Sequence, residues 1–565
     1  MPTYHRLLPN EPGVSVTPNV LTVGRGNCDG PLHMTSHGHG GIMPAVRLAA
    51  IDVGSNSLHM LVADVSPDGR IQVVDRLKEM VRLGHRAFTS GKLDREAAEL
   101  ALRTLKTFER LARARHVERL GAVATSAVRE ARNGASFVRL LRRETGIPVR
   151  IVSGLDEARL IFRAARHALG LDGGPHLLVD VGGGSVELVL VRDGRAVWMR
   201  SLPLGVARLT ERFLVDDPPR TGQVRQLEKH LRRELGEALS RVRRAGTLRA
   251  IGTSGTVNAL VAMACAARGE DVARLHGARA KATEIARLRQ RILAAGAARR
   301  AALPGIDTKR VDLMPAAVVM LDFLLGEARI PELMACTWAL REGLLLELAG
   351  LRSGPGDAAS VRRRSVEALA ERFAGPNAHG RQVARLALAL FDATADELRL
   401  PPSAREPLEY GALLHDIGHA IDHGRHHRHS AYLIRTGELL GFEPLDIEML
   451  ALVARSHRKQ LPSPSDPDVH VLPPPMRRRV RALAALLRVA DALDRTQFSV
   501  VRSIRTSHRG GRLLIEVDSG RDNAELELWA AQRRVDLLAR LLDRPVLLRL
   551  GKRSTAQIPH AAIRA

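Results

Sequence analysis

The sequence predicts an α/β fold made of two related halves, followed by an all-helical segment and a small α+β segment. The first observation is a repeated design, in which an apolar strand, an aspartate, a glycine-rich turn and a second apolar strand follow one another. It occurs at Asp52 and again at Asp180, a domain-sized interval that is much longer than the period of a solenoid. Beyond residue 360 the apolar residues recur at helical spacing, and strand-like runs return only near the end of the chain.

Length and composition are those of a globular protein with several cores. A chain of 565 residues has room for about three or four domains of ordinary size, and 45% apolar with 26% charged residues disfavours a disordered protein. Aromatic residues make up only 3% of the chain, which makes nucleic-acid binding through stacked bases an unfavoured interpretation. The cysteines Cys28, Cys265 and Cys336 are far apart, so neither a disulfide framework nor a cysteine metal site is expected.

The positive charge of the chain is extreme, with a net charge of +25 and a sequence pI of about 11.2. Two explanations stay open: solvated basic faces on many helices, or a polyanionic partner such as polyphosphate, a nucleotide or nucleic acid. No run reaches the ~18 apolar residues of a membrane span, and no apolar core of a secretory signal is apparent. Together with the scarce cysteines, these features predict a cytoplasmic protein without a membrane partner.

The first part of the chain divides into an extension and a predicted subdomain. Residues 1–46 are rich in Gly, Pro, His, Asn and Thr and are predicted to be disordered, or to be an artefact of start-site choice if Met43 is the true start. Residues 47–170 are the first predicted subdomain. Its expected elements are two strands around the turn after Asp52, an amphipathic helix beyond Asp94, strands at 121–125 and 149–152, and a helix from about Leu155.

The second predicted subdomain, residues 171–350, starts with the repeated strand–turn–strand design. A long amphipathic helix is expected at about 223–245, and a third glycine-rich turn, GTSGT, lies between a strand and an apolar helix. The Gly/Pro/Ser-containing run 351–360 resembles a linker. Residues 351–500 are then predicted to be a helical domain, and residues 501–565 a small α+β segment with the strand-like runs RLLIEV and PVLLRL.

The first two turns have the composition of a phosphate-binding site. Several backbone N–H groups can converge on a phosphate only in a tight turn, which Gly and small polar residues permit. The aspartates before the turns, Asp52 and Asp180, could orient Mg²⁺ through water, because Mg²⁺ binds few protein carboxylates. An ordinary hairpin explains one such turn, but not a pair with an Asp at the same offset. The turn residues predicted to bind substrate are Gly54, Ser55, Asn56, Ser57, Gly182, Gly183, Gly184 and Ser185.

Longer motifs around the turns resemble those of a known family. IDVGSNS, DVGGGSVEL and IGTSGT are similar to the phosphate and adenosine loops of the actin-like, sugar-kinase and Hsp70 ATPase superfamily. ATSAVREARNG, VSGLDEARLIF, SLPLGVARLTERF and LREGLL are more specific, and with the loops they resemble the Ppx/GppA family of exopolyphosphatases and guanosine pentaphosphate phosphohydrolases. The resemblance implies a duplicated actin-like (ribonuclease H-like) fold with the active site between its halves, and it also implies a homodimer.

The resemblance places roles on residues in these motifs. The family's catalytic glutamate falls in the SGLDEAR segment, which implies that Glu157 activates the attacking water. From the residues alone, Glu157 could merely complement a helix N-terminus, where Ser153 and Asp156 fit a capping box. The acidic set expected around Mg²⁺ is Asp52, Asp180 and Glu187, and the residue expected to hold a phosphate oxygen is Arg129.

The helical segment contains a second set of candidate metal ligands. An adjacent His and Asp can reach one metal while distant helices complete the site, a pattern that resembles HD-superfamily phosphohydrolases. We therefore predict an HD-like domain, whose site could instead be a relic or a wall of a substrate channel. The four candidate ligands are His379, His415, Asp416 and Asp491. Residues that could serve a second metal, unless the run HGRHHRHS is only a histidine-rich surface turn, are His429 and His457.

The predicted function is an exopolyphosphatase that releases terminal phosphate from inorganic polyphosphate with Mg²⁺ as cofactor. Guanosine pentaphosphate (pppGpp) is the alternative substrate, because it presents the same anhydride to the cleft; the positive charge favours polyphosphate. An actin-like kinase or ATPase would turn over ATP, and a non-catalytic polyphosphate or nucleotide sensor would bind without releasing phosphate. The specific motifs disfavour the kinase, and the intact acidic set disfavours the sensor.

Overall fold

The first predicted segment, the disordered extension 1–46, lies almost entirely outside the described residues, although Val46 already belongs to the first strand. In the part of the chain that is described, no helix is both long and apolar enough to cross a membrane. The residues that the computed structural model describes are 45–270, 274–351, 357–375, 377–458, 461–463, 466–520 and 522–551.

The first β-sheet has a buried central strand between two helical layers. Its five strands are β1 (Val46–Val53), β2 (Ser57–Val65), β3 (Ile71–Met80), β4 (Arg119–Ala124) and β5 (Val149–Ile151). They are ordered β3-β2-β1-β4-β5, with β1 antiparallel to β2 and parallel to β4. Alternate residues of β1 enter two different cores, Leu48 and Ala50 on one face and Ala49 and Ile51 on the other. This explains why β1 is a continuous apolar run in the sequence.

The second sheet repeats the first. Its strands are β6 (His176–Val181), β7 (Val186–Arg192), β8 (Arg195–Leu202), β9 (Arg249–Gly252), β10 (Arg279–Lys281) and β11 (Glu332–Ala335). The order β8-β7-β6-β9-β11 matches β3-β2-β1-β4-β5, with an antiparallel meander followed by parallel strands, and β10 adds an edge. The predicted duplication is therefore confirmed. The third meander strand of each half, β3 or β8, was not predicted because both are only partly buried and mix polar with apolar residues.

Helices cover both faces of the two sheets. The helix expected beyond Asp94 is confirmed, and the Asp94 carboxylate caps it by accepting from two backbone amides. The helix Leu340–Leu348, which follows the second sheet, packs against β1 and against the helix that begins at Gly154. The end of the second half therefore contacts the first half. The helices are α1 (Ala87–Ser90), α2 (Arg95–Ala114), α3 (Ser126–Glu130), α4 (Gly134–Thr145), α5 (Gly154–Leu169), α6 (Val206–Phe213), α7 (Thr221–Arg244), α8 (Gly255–Ala267), α9 (Ala282–Ala294), α10 (Ala297–Ala301), α11 (Met314–Ala328) and α12 (Leu340–Leu348), with a 3₁₀ helix at Thr308–Arg310.

The next segment is helical, as predicted. Its first helix already begins at Ala358, where Asp357 accepts from the Ser360 amide, so the expected linker 351–360 is too long at its C-terminal end. Residues 352–356 of that linker lie outside the described residues. The helices are α13 (Ala358–Ala374), α14 (Ala378–Thr394), α15 (Arg405–Leu414), α16 (His426–Thr436), α17 (Pro444–Arg455), α18 (Pro467–His470) and α19 (Pro474–Ala492), with 3₁₀ helices at Pro402–Ala404 and Ile417–Ala420.

A small third sheet ends the described chain and shares one core with the helical segment. Strands β13 (Arg512–Asp518) and β14 (Val546–Leu550) confirm the two predicted strand-like runs, and they pair in parallel. Strand β12 (Ser503–Arg509) pairs antiparallel with β13 and was not predicted, because its sequence is largely polar. Helices α20 (Glu525–Gln532) and α21 (Asp536–Leu542) lie between β13 and β14 in the sequence.

Candidate active site

The two glycine-rich turns face each other across a cavity of about 440 Å³. Each turn follows the central strand of its sheet, β1 or β6, so the duplicated topology brings both turns to the same cavity. A Cβ atom on Gly183 would lie 3.3 Å from the Cβ of Ser55 and 3.7 Å from the backbone nitrogen of Asn56. The turns are therefore close enough for their amides to converge on one small anion.

The peptide groups of both turns are held with their carbonyls bonded to neighbouring segments. The Gly84 amide donates to the Ser55 carbonyl at 2.7 Å, and the Val206 amide donates to the Gly182 carbonyl at 3.0 Å. A carbonyl and the amide that follows it point in opposite directions across a trans peptide. The amides that follow these two carbonyls are those of Asn56 and Gly183. Within the described residues, neither amide donates a hydrogen bond to another group. Both are thus available to a ligand in the cavity.

The motif SLPLGVARLTERF supports the second turn from behind. Gly205 precedes α6, and a Cβ atom there would lie 2.2 Å from the nitrogen of Gly184 and 2.3 Å from the carbonyl oxygen of Gly183. No side chain fits in that space, so glycine is needed for α6 to approach the turn. The approach lets the first amides of α6 bind the turn carbonyls.

We expect Gly205→Ala to lower both the melting temperature and the rate of phosphate release, because the added methyl group must displace the second turn. Overpacking of this kind costs about 1–3 kcal/mol. Gly236→Ala is the control, since a Cβ atom at Gly236 in α7 meets nothing within 4 Å. Thermal unfolding and phosphate release should separate the two variants, and identical behaviour would contradict the close approach.

The third glycine-rich turn fixes Asp180. The Thr253 hydroxyl donates to Oδ2 of Asp180 at 2.5 Å. One residue later, the Ser254 side chain caps α8. The Arg310 guanidinium lies against the same turn and donates to Oγ1 of Thr256 at 3.3 Å. This turn therefore orients a carboxylate and brings a cation to the cavity.

Four carboxyl groups meet on one side of the cavity. Burial raises the pKa of Asp52 to about 7, and it also raises the pKa of Asp180 above its ordinary value. Glu187 is opposite Asp180 in the β6–β7 pair, and its pKa is raised well above its usual range by burial and then by the charges of Glu157 and Asp180. Since these groups repel one another when ionised, this side of the cavity favours a cation.

Two oxygen atoms of these carboxyl groups are available to a cation. Oδ1 of Asp52 and Oε2 of Glu187 are buried and have no hydrogen-bond partner among the described residues. The other oxygen of Glu187 accepts from the Ser201 hydroxyl at 2.8 Å, which fixes the carboxyl group. Buried oxygen atoms without partners are costly unless a ligand satisfies them, and hard carboxylate oxygens fit Mg²⁺.

Helix α5 positions Glu157 at the cavity. The capping role falls to Ser153, which accepts from the Asp156 amide at 3.1 Å, while the Asp156 side chain is 47% exposed. Glu157 is buried, and its Oε2 accepts from Nη1 of Arg129 at 3.1 Å. Burial raises the pKa of Glu157 to about 8, against the opposing effect of Arg129. Glu157 therefore has the position and the basicity that a general base requires.

Besides Arg76, which pairs with Glu438, three cationic side chains that the sequence reasoning missed line the cavity: Lys78, Arg310 and Arg341. Burial, followed by the charge of Arg310, lowers the pKa of Lys78. Arg341 lies in the LREGLL motif, so that motif was a signal for it. No comparable signal marked Lys78 or Arg310, because β3 and the 3₁₀ helix reach the cavity only through the tertiary fold. The cations face the carboxyl groups, as a bound polyanion with a metal ion would require.

His59, also missed, links Arg341 to the first turn. Arg341 donates to Nδ1 of His59 at 2.6 Å, so the ring carries its hydrogen on Nε2 and donates to the Ser57 hydroxyl at 2.7 Å. Burial and the nearby cations lower the pKa of His59 to about 2, which keeps the ring neutral. Because Ser57 accepts from the ring, its own hydrogen is available to a ligand in the cavity.

Comparison with known proteins identifies the fold and the family. A family model described as the Ppx/GppA phosphatase family matches residues 61–351, which is more than half of the chain. The chain belongs to the Ppx/GppA phosphatase family. A second model, described as domain III of the Ppx/GppA phosphatase, matches residues 361–530. As a member of this family, the protein is a hydrolase of phosphoanhydrides.

Solved structures of the Ppx/GppA family cover the α/β part of the chain. An exopolyphosphatase from Cytophaga hutchinsonii is 29% identical with a TM-score of 0.51, over 55% of this chain and 99% of that chain. An exopolyphosphatase-like protein is 27% identical with a TM-score of 0.50, over 54% and 98% of the two chains. A family member from Aquifex aeolicus is 26% identical, over 55% and 100%, with a TM-score of 0.47. The predicted actin-like α/β fold is confirmed, and a helical region and a small sheet follow it.

The structure brings most predicted site residues of this Ppx/GppA protein to one cavity. Gly184 is an exception, because it packs against Phe88 and Ser126 behind the turn. Arg129 lies along a neighbouring cavity and donates to the Val152 carbonyl as well as to Glu157. Its contacts make it a positioning residue for Glu157, and its role as a phosphate ligand stays a prediction. The predicted residues that line the main cavity are Asp52, Gly54, Ser55, Asn56, Ser57, Glu157, Asp180, Gly182, Gly183 and Ser185, and Glu187 is buried opposite Asp180 in the β6–β7 pair.

The four predicted ligands in the helical region also come together. Nε2 of His379 and Nε2 of His415 lie 3.6 and 3.5 Å from Oδ1 of Asp491. Their distances to the nearest oxygen atoms of Asp416 are 3.7 and 3.6 Å. Residues from three separate helical elements thus meet at one centre, as the sequence pattern predicted.

Proposed function

We propose that this protein is an exopolyphosphatase that removes terminal phosphate from inorganic polyphosphate. The observation that carries the proposal is the content of one cavity: two turns with available amides, three cations, and a buried glutamate of raised pKa. Binding groups for a polyanion and a base for water are therefore adjacent. The family and its solved members support hydrolysis of a phosphoanhydride in this fold.

The terminal phosphate binds between the two turns in this proposal. The amides of Asn56 and Gly183 and the hydroxyl of Ser57 donate to its oxygen atoms. Arg310 and Arg341 offset the charge of the phosphates that follow. These groups are held in place before substrate arrives, by the carbonyl bonds of the turns and by the Arg341–His59–Ser57 chain, so little reorganisation accompanies catalysis.

Mg²⁺ fits the oxygen atoms of Asp52 and Glu187 and, when bound, would offset the charge of the transferred phosphoryl group. Asp180, fixed by Thr253, completes the acidic set. Ser201 orients Glu187 and lies beside the first turn of α5, since a Cβ atom on Gly154 would be 2.3 Å from its hydroxyl oxygen. The acidic set and Glu157 are therefore held by a common framework.

Glu157 takes a proton from water as the water oxygen forms a bond to the terminal phosphorus. The bond from that phosphorus to the bridging oxygen breaks, and the shortened polyphosphate leaves with the bonding electrons. Arg129 keeps the carboxylate of Glu157 aimed at the water, and the raised pKa makes it a stronger base than an exposed glutamate. Orthophosphate is released and no covalent enzyme intermediate is required.

The lining of the cavity favours polyphosphate over pppGpp. None of the described residues that line it is Phe, Tyr or Trp, so they offer no aromatic surface for a guanine base. A polyphosphate chain needs only cations and hydrogen-bond donors. The net charge of +25 agrees with a long polyanionic substrate.

Phosphate release from polyphosphate and from pppGpp, side by side and with or without Mg²⁺, tests the proposal. We expect Mg²⁺-dependent release that is faster from polyphosphate. The KM for long polyphosphate should rise steeply with salt, because binding releases the counterions of the polyphosphate and added salt opposes that release. The KM for pppGpp should respond less, since fewer charges are neutralised. Preference for pppGpp would favour the alternative substrate, ATP turnover would favour a kinase or ATPase, and binding without release would favour a sensor.

A further inference from the structure

The helical region holds a second group of titratable side chains, which we term the histidine–aspartate cluster. It borders a cavity of about 520 Å³ that has no lining residue in common with the proposed exopolyphosphatase site. His429, a candidate second-metal ligand from the sequence, lies instead 3.8 Å from Asp422 and outside the cluster. The members of the cluster are His379, His415, Asp416, His419, His426, His457 and Asp491.

The rings of the cluster are oriented by bonds at their Nδ1 atoms. Nδ1 of His379 lies 2.8 Å from a carboxylate oxygen of Asp494. Nδ1 of His415, His426 and His457 lies 2.7, 2.8 and 2.6 Å from the backbone carbonyl three residues earlier; Arg458 is more distant from the His426 nitrogen, at 3.3 Å. Nδ1 therefore carries the hydrogen, and the lone pair of Nε2 faces the cluster. Metal-binding histidines are held in this way.

One ion fits among His379, His415, Asp416 and Asp491. The histidine nitrogens lie 3.5–3.7 Å from the carboxylate oxygens. These separations are too long for hydrogen bonds. Two ligand atoms that are each ~2.1 Å from one ion lie about 3.0–3.4 Å apart at tetrahedral or octahedral angles, so a shift of a few tenths of an ångström closes the site.

A second ion fits on the other side of Asp416. Its Oδ1 lies 3.3 Å from Nε2 of His426 and 3.5 Å from Nε2 of His457, and the two nitrogens are 3.1 Å apart. With both Nδ1 atoms donating, two lone pairs face each other at that distance and repel unless a cation lies between them. Nε2 of His419, 3.4 Å from Oδ2 of Asp416, offers a further ligand.

The centre of the cluster contains buried polar atoms without protein partners. His415 is fully buried, and its Nε2 forms no hydrogen bond with the described residues. The same holds for Oδ1 of Asp416, the atom that both ion positions would share. Buried polar atoms are normally satisfied, so these two point to a ligand at the centre.

The rim of this cavity is positively charged, whereas its floor carries the carboxylates of the cluster. Four guanidinium groups line it, and among the described residues none of them pairs with a carboxylate. Trp529 is 59% exposed at the rim, with the Arg533 guanidinium 5.0 Å from its ring centroid. Guanidinium groups bind phosphate, and an exposed indole can stack with a base. The four arginines are Arg458, Arg495, Arg533 and Arg534.

We propose that the histidine–aspartate cluster binds two first-row transition-metal ions and is a second active site, which hydrolyses a phosphate ester of a nucleoside. Imidazole and carboxylate ligands suit such ions, and a bridging carboxylate brings two of them to the spacing found in two-metal hydrolases. A water activated at the ions forms a bond to phosphorus, and the ester P–O bond breaks. The leaving oxygen takes up the proton that the water gives up, so no oxidant or further reactant is consumed.

Metal content tests the first half of this proposal. The full-length chain is treated with a chelator, incubated with Mn²⁺ or Co²⁺, desalted and analysed by plasma mass spectrometry, with circular dichroism to verify folding. We expect about two ions per wild-type chain, about one in His457→Gln, and a loss of both in Asp416→Ala. His429→Ala, a matched control outside the cluster, should bind as the wild type does. Wild-type protein that retains no ion, or Asp416→Ala and His457→Gln proteins that retain both, would overturn the proposal.

Hydrolysis of p-nitrophenyl phosphate and bis(p-nitrophenyl) phosphate tests the second half. The metal-loaded protein should release p-nitrophenol from at least one of these esters, and Asp416→Ala should lower the rate about 100-fold or more. Glu157→Gln should retain ester hydrolysis, because Glu157 lies in the other cavity. Loaded protein that cleaves neither ester would show that the cluster does not hydrolyse phosphate esters, and equal loss in Glu157→Gln would assign the activity to the exopolyphosphatase site.

Discussion

Glu157→Gln should lower kcat for phosphate release from polyphosphate by about 10²–10⁴-fold, with little change in KM. Gln has the shape of Glu and can still accept from Arg129, so the turn of α5 and the binding groups stay in place. What it loses is the ability to take a proton from water. Steady-state kinetics of the purified variant, with circular dichroism to verify its fold, measures this effect.

Asp156→Asn is the matched control, since the same change is made one residue earlier. The Asp156 side chain is 47% exposed and, among the described residues, bonds only to Ser153 and Arg159. We expect its turnover to remain close to that of the wild type. If Glu157→Gln also kept near wild-type turnover, Glu157 would have no place in the mechanism.

The same assignment predicts the pH dependence of the reaction. A general base acts in its deprotonated form, and burial together with the charges of Asp52 and Asp180 raises the pKa of Glu157 to about 8 against the effect of Arg129. At low Mg²⁺ concentration, kcat/KM should therefore rise with pH and level off above about pH 8. A bound cation stabilises the carboxylate, so more Mg²⁺ should move the rise to lower pH. Glu157→Gln should lack this dependence.

The second large effect is expected when the acidic set is neutralised. Asp180→Asn and Glu187→Gln should each raise the Mg²⁺ concentration for half-maximal rate by about tenfold or more and lower the maximal rate, because Mg²⁺ prefers charged oxygen ligands. Asp193→Asn is the control. Asp193 is exposed in the turn between β7 and β8, at the opposite end of β7 from Glu187. Unchanged Mg²⁺ titrations of both site variants would place these carboxylates away from the ion.

Glu187→Gln should also stabilise the protein in the absence of Mg²⁺. The pKa of Glu187 is raised in the folded state, so above the ordinary glutamate pKa its ionisation opposes folding, and this penalty grows until the pH passes the raised value. An amide has no such penalty. Each kcal/mol gained would raise the melting temperature by ~2–4 °C. A Tm below that of the wild type at neutral pH would contradict the buried position of this carboxyl group.

Local features of the fold and site were predictable from the sequence. The two turns are short segments in which Asp, Gly and Ser occur together, and the repeated design alone indicated that Asp52 and Asp180 occupy equivalent positions. The apolar run around Glu187 predicted a buried carboxylate, and it is 1% exposed. Glu157 was less clear, because its position also suits a helix N-terminus; the fold shows that Ser153 caps α5 and that Glu157 is buried at the cavity.

The cations of the cavity were not predictable from local pattern. Lys78 lies on a partly buried strand, Arg310 in a short 3₁₀ helix and Arg341 at the start of α12. In a chain with 86 Lys and Arg residues, only the tertiary fold distinguishes these three from the many that lie in solvent. His59 is similar, since its role depends on Arg341, 282 residues away in the sequence.

The histidine–aspartate cluster shows the same limit. His415-Asp416 was visible as an adjacent pair in an apolar run predicted to be one helix, and His379 and Asp491 followed from the pattern. The helix was predicted too long, since α15 ends at Leu414, directly before the pair. His426 is one of several histidines in the run 423–430, and sequence alone could not show that it faces inward while His429 faces Asp422. The two residues are three positions apart, a spacing at which helical side chains lie on roughly the same face, so helical periodicity could not separate them either.

Attack of water on the terminal phosphorus can be measured by single-turnover hydrolysis of polyphosphate in ¹⁸O-labelled water with ³¹P NMR of the products. If Glu157 directs water to a terminal phosphate held between the turns, one ¹⁸O atom will appear in the released orthophosphate and none in the shortened chain, and Glu157→Gln will abolish the signal. Label in the remaining chain, or release of fragments from within it, would contradict the account.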